Sequence, residues 1–224
     1  MNAKRMRRRS EGGFTLAEVL VGTALTLMIA GGVYSFYAAQ TQALASQRAY
    51  ARSQDVTRTV IDLLGRELRM ATYDPSGLAI TTSPAGGSCP GVKQGLLVGK
   101  LDQIKFVQDL NGDGDVTDEA ETLYYYTLGG ELRRQDGNGT AVALVENLDV
   151  NGFVLQYFNN SNPPVELVPS GTPPALTSAQ RDCVAKIRLT VRSSIDNPNP
   201  QVSTPLESEG QAEIAIRNRS LSNF

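Results

Sequence analysis

At 224 residues, with 41% apolar and 20% charged content, the chain is long enough for one folded domain plus an appendage and is not disordered in composition. It contains neither histidine nor tryptophan, which removes the commonest general base and metal ligand and argues against an enzyme. The net charge of −2 is uneven: residues 1–13 carry five basic side chains against one acidic, a net of +4, leaving −6 on the remainder. A short basic head on an acidic body suits orientation at a membrane, and no direct binding of nucleic acid is expected.

Val19 to Ala39 is a run of 21 residues without a charge, and roughly 20 apolar residues suffice for a helix to cross a bilayer. The basic cluster ahead of it predicts a cytoplasmic N-terminus and an exported body. The junction reads Gly12-Gly13-Phe14-Thr15-Leu16, and Glu18 then places an ionisable group at the head of the apolar segment, where such a group is costly and usually functional. The stretch GFTLAEVLVG at 13–22 resembles the processing motif of type IV prepilins. That resemblance implies cleavage after Gly13 by a prepilin peptidase and methylation of the new N-terminal Phe14. It also implies an assembly role for Glu18, whose carboxylate would meet the α-amine of Phe14 in a neighbouring subunit, since a carboxylate in an apolar filament core needs a cationic partner. The rival is an ordinary secretory signal peptide cut after Ala43-Leu44-Ala45. Its apolar region should span only about 7–15 residues and carry no glutamate at its start.

Residues 40–73 continue without proline, and Val56, Val60, Leu63, Leu64, Leu68 and Met70 fall near one helical stripe, with Glu67 mostly off it. Asp74-Pro75 supplies a stop, so a helix is expected from Phe14 to about Tyr73. The expected organisation is a leader at 1–13, a membrane or filament-core helix at 14–40, an amphipathic continuation at 41–74 and an exported β-rich domain at 75–224. Expected strands are Gln103–Gln108, Thr122–Leu128, Glu131–Gln135, Ala141–Leu148, Phe153–Phe158, Val184–Ser193 and Gln211–Arg217, with long loops at Asn159–Gln180 and Ile195–Gly210. The fold class is therefore α+β: a long N-terminal helix packed on an antiparallel sheet domain.

The segment from Asp109 to Glu121 begins like an EF-hand loop, with oxygen ligands at Asp109, Asn111 and Asp113, a glycine at Gly114 and a carbonyl available at Asp115. Position 12 is Ala120, with Glu121 beside it as the closing candidate. Calcium in a structural role is the expectation; an acidic, turn-rich connection is the plain alternative. Cys89 and Cys183 both fall in the exported part, where an even count in an oxidising compartment favours a disulfide over two thiols.

GRELRMATYDPSG at 65–77, ENLDVNGFVLQYF at 146–158, DCVAKIRLTVRSS at 182–194 and AIRNR at 215–219 are similar to segments of the PilW and pseudopilin-J group of minor pilins. This resemblance implies assembly with other minor pilins and a major pilin, storage in the bacterial inner membrane, and entry into a pilus or a type II secretion pseudopilus. A rival of another class is an anchored, calcium-binding adhesin, in which Glu18 would be replaceable.

Overall fold

The computed structural model describes residues 13–200 and 202–217; the basic residues of the expected leader, and Asn218 and Arg219 of the terminal segment, lie outside the described residues. Helix α1 runs Leu16–Met70, close to the expected limits. The chain divides into two compact units, Met1–Ala45 and Ser46–Phe224, so the last part of α1 is built into the larger unit.

In that unit α1 packs along Ser53, Thr57, Val60, Leu64, Gly65 and Leu68. Steps of three and four residues put Ser53, Thr57, Val60, Leu64 and Leu68 on one face, with Gly65 beside Leu64. Ser53 and Thr57, not the exposed Val56, extend the stripe at its start. The polar residues find a low-relief partner: Ser53 meets Ser193 hydroxyl to hydroxyl at 2.5 Å. At Gly210 an added Cβ would stand 2.5 Å from Ile61 and 2.9 Å from Thr57, so the absent side chain lets the helix approach the sheet. The helix gives way after Met70, and the chain turns at Thr72, whose φ is +67°.

Among the described residues nine strands follow: β1 Leu96–Gly99, β2 Gln103–Val107, β3 Thr122–Leu128, β4 Glu131–Asp136, β5 Val142–Val145, β6 Leu148–Phe158, β7 Glu166–Leu167, β8 Lys186–Ile195 and β9 Leu206–Ala215, with a short helix α2 at Ser178–Cys183 before β8. They form two antiparallel sheets, one a five-stranded meander in chain order and the other ordered β7-β6-β8-β9. The long helix packed on antiparallel sheets is the expected class, and the sheet domain is built of two sheets. A single core joins them: Leu64 and Leu68 of α1 lie with Phe106 and Tyr125 of the first sheet and Leu155, Ile187 and Leu189 of the second.

Several boundaries differ from expectation for identifiable reasons. The Ala141–Leu148 run is interrupted because Asn147 adopts a φ of +62°, ending β5 early and opening β6. Ile195–Gly210 is not a loop throughout: β8 reaches Ile195 and β9 begins at Leu206. The Asn159–Gln180 segment contains β7 and the start of α2, which opens with a capping box between Thr177 and Gln180.

Candidate functional site

The N-terminal unit presents its chemistry at the start of α1. Thr15 and Glu18 form a reciprocal cap: the Thr15 N–H and hydroxyl each donate to Glu18 Oε2 at 2.9 Å, and the Glu18 N–H donates to Thr15 Oγ1 at 3.3 Å. The first helical bond, Val19 N–H to the Thr15 carbonyl at 3.2 Å, follows directly. This is a T-x-x-E capping box, so Glu18 has a structural task in the single chain beyond its expected role between subunits. Phe14, immediately before it, is 88% exposed.

Beyond the cap the helix has no charged residue until Arg48 and no protein cover over Leu20, Met28, Ile29 or Phe36. Its most apolar 18-residue window has mean hydropathy 1.9 and none of it is buried; by length and composition it is able to cross a membrane. Its hydroxyls are turned back on the backbone: Thr23 donates to the Leu20 carbonyl, Thr26 to Gly22 and Ser35 to Gly31, at 2.7–2.9 Å. Such local bonding removes the cost of placing these hydroxyls among hydrocarbon.

In the larger unit the 109–121 loop joins β2 to β3. Asp109 is fully buried, its carboxylate accepting from the Gly112 N–H at 2.6 Å, the Gly114 N–H at 3.2 Å and the Ser76 hydroxyl at 3.1 Å. Gly112 holds a φ of +79° that makes this close approach possible. Glu121, also buried, accepts from the Leu110 and Asp118 N–H groups at 2.8 and 3.3 Å. Asn111 reaches Asp113 at 3.0 Å and Asp118 at 2.6 Å. Asp113 and Asp115 are exposed, each accepting the N–H two residues on; these bonds, donated by the Asp115 and Thr117 N–H groups, close short-range turns. Bonds from the Thr117 N–H and hydroxyl hold the Asp115 carboxyl below its usual range. The five expected ligands thus share one loop. Among the described residues no group of three or more His, Cys, Asp and Glu side chains is already gathered as a metal cage.

Two features had no explicit place in the sequence reading. Glu67, expected mostly off the buried stripe, turns to the first sheet, accepting from the Tyr125 hydroxyl and from Arg134 at 3.0 Å. Burial, with the Glu67 carboxylate next, drives the Tyr125 phenol far above its ordinary range. The Asp74 carboxylate, with no exposed side-chain surface, accepts from Lys93 at 2.7 Å and from the Gly77 and Ile80 N–H groups at 2.7 and 3.0 Å. The Asp-Pro pair signals a helix stop, but nothing local marks Lys93, nineteen residues on, as its partner. Cys89 and Cys183 are joined in a disulfide with Cα atoms 5.3 Å apart.

Compared with known proteins, residues 8–34 match the prokaryotic N-terminal methylation motif. Among solved structures the chain is similar to the type IV-like pilin TTHA1219 from Thermus thermophilus, at 16% identity and a TM-score of 0.41, covering 74% of this chain and 97% of that one. No curated protein matches the chain. The methylation motif, set on a capped helix able to cross a membrane and continuous with the core of a β-rich unit, fits this chain to a type IV pilin-like family.

Proposed function

We propose that the chain is a minor pilin of the PilW type, which takes part in starting or capping a pilus. The observation that carries the reading is the methylation motif coinciding with the Thr15–Glu18 cap and the exposed Phe14. A prepilin peptidase would cut after Gly13 and methylate Phe14. The chain would wait in the inner membrane with its body exported, then join other pilins through the apolar face of α1. During assembly the new α-amine of Phe14 in one subunit offers Glu18 of the next a cation. Glu18 then exchanges a cap bond for an ion pair in an apolar surround, where a paired carboxylate is tolerated and a lone one is not. The large two-sheet body, with its long connections, supports a specialised subunit over a bulk one.

Mass spectrometry of the mature N-terminus checks the first step, with N-methyl-Phe14 as the expected terminus; a start at Ser46 or an intact Met1 would sink it. Glu18→Ala is expected to be processed normally yet to drop out of sheared surface filaments by at least tenfold. Incorporation at the wild-type level would instead favour the anchored-adhesin reading. Deletion that leaves pili intact but blocks protein secretion would transfer the role to pseudopilin J.

A further inference from the structure

The floor of the 109–121 loop holds buried oxygens that filament assembly does not use. The β2–β3 ladder ends with Val107 opposite Thr122, and the next pair continues it, with the Gln108 N–H donating to the Glu121 carbonyl at 2.8 Å. Alternation from Phe106 and Leu123 puts the Gln108 and Glu121 side chains on the same inward face. They are 3% and 1% exposed. Gln108 Nε2 donates to the Ala120 carbonyl at 2.6 Å, which holds its amide against the inside of the loop. Its Oε1, fully buried, has no donor among the described residues. No Lys or Arg among the described residues forms an ion pair with Asp109 or Glu121. Their N–H donors leave lone pairs free on each carboxylate. Two buried carboxylates without a cationic partner, with an amide oxygen without a donor beside Glu121, leave this end of the loop short of positive charge.

We propose that this loop binds one calcium-class divalent cation. Asp109, Asn111 and Asp113 supply side-chain oxygens and Asp115 its carbonyl. Asp118 is the closing carboxylate, because its exposed side chain already meets Asn111. Glu121 and Gln108 then charge and line the floor. Asn111, Asp113 and Asp118 are exposed, so closing on the ion turns surface side chains and leaves the buried frame in place. Calcium's tolerance for 6–8 oxygens and irregular geometry suits this mixed set better than the strict octahedron of magnesium. The ion would also brace the exit of α1, because the Asp109 N–H donates to the Tyr73 carbonyl at 2.7 Å and Ser76 bonds Asp109.

The test uses the full chain in detergent, stripped with a chelator, then titrated with calcium or magnesium chloride. One calcium per chain is expected by calorimetry. For a Kd of about 10⁻⁴ M, 5 mM calcium should raise Tm by about 5 °C, and magnesium by less. Asp113→Asn and Asp118→Asn, both at exposed positions, should each reduce affinity at least tenfold. Glu119→Gln and Asp149→Asn should bind as wild type. Absence of both heat and Tm shift at 5 mM calcium would overturn the proposal. So would binding that survives the Asp113→Asn/Asp118→Asn double substitution.

Discussion

Asp74 shows how much a single residue decides at the exit of α1. Burial alone would raise its carboxyl, but Lys93, the Ile80 and Gly77 N–H groups and the Ser76 hydroxyl outweigh that and hold it far below the usual carboxylate range. A carboxyl depressed in the folded state contributes stability that is fully present above its unfolded pKa, about 3.9, and is lost as pH falls further. Asp74→Asn keeps an acceptor but gives up the ion pair to Lys93, whose side chain is 23% exposed. It should cost about 2 kcal/mol at pH 7, in the range for hydrogen bonds to charged groups. Urea unfolding of wild type and variant at pH 7 and pH 3 measures this, and the gap should narrow at pH 3. A gap independent of pH would show that the carboxylate charge is not what Asp74 contributes. The two ends of α1 differed in legibility. Thr15-Leu16-Ala17-Glu18 writes its cap within four consecutive residues, whereas the Asp74–Lys93 bond depends on a chain reversal with no local signal.

At the scale of elements, α1 is docked in two chemically different stretches. From Val60 onward the buried face is Val60, Leu64, Gly65 and Leu68, with Ala71 buried just past the helix end, whereas before it Ser53 is buried against Ser193 and Thr57 against Gly210. Leu64 is fully buried in the common core. Leu64→Ala should cost about 2–5 kcal/mol, the range for removing a packed leucine. Thr57→Val, at a buried hydroxyl with no partner among the described residues, should be neutral or mildly stabilising, since it removes an unsatisfied polar atom of similar shape. Thermal unfolding of both variants checks the contrast; equal losses would mean that the two stretches are held in the same way. The same chemistry explains which strands could be read. β8 alternates Ile187, Leu189 and Val191 inward against Lys186, Arg188, Thr190 and Arg192, so its pattern is explicit. The first half of β9 faces the core through Ser208 and Gly210, small residues that suit a close helix but look like a loop in sequence. β1 is only four residues long, too short for alternation to register.

For the larger unit as a whole, the disulfide joins parts that the sheets leave weakly tied. Cys89 sits in a segment held by the Thr82–Lys93 bridge and by Asp182, which accepts from Gln94 at 2.8 Å and Ser83 at 3.4 Å. Cys183 ends α2, directly before β8 enters the core. The bond closes a span of 94 residues that includes the entire first sheet. Constraining the unfolded chain over so long a span is typically worth about 2–4 kcal/mol, and each kcal/mol moves Tm by about 2–4 °C for a chain of this size. Cys89→Ser/Cys183→Ser should therefore lower Tm by roughly 5–15 °C. If the bridge only pinned the 84–91 segment, its loss would leave Tm unchanged and increase protease cleavage there alone, an outcome that would refute a global role. The bond also reports on topology, because such a disulfide persists in an oxidising compartment and not in a reducing one. In intact cells both cysteines should resist thiol labelling until a reductant is added, and a chain whose body stays in the cytoplasm should label without it. The even cysteine count suggested this pair, but only the fold could bring Cys89 to the foot of β8, and the bridge then ties the first sheet's entry to one of the second sheet's two inner strands.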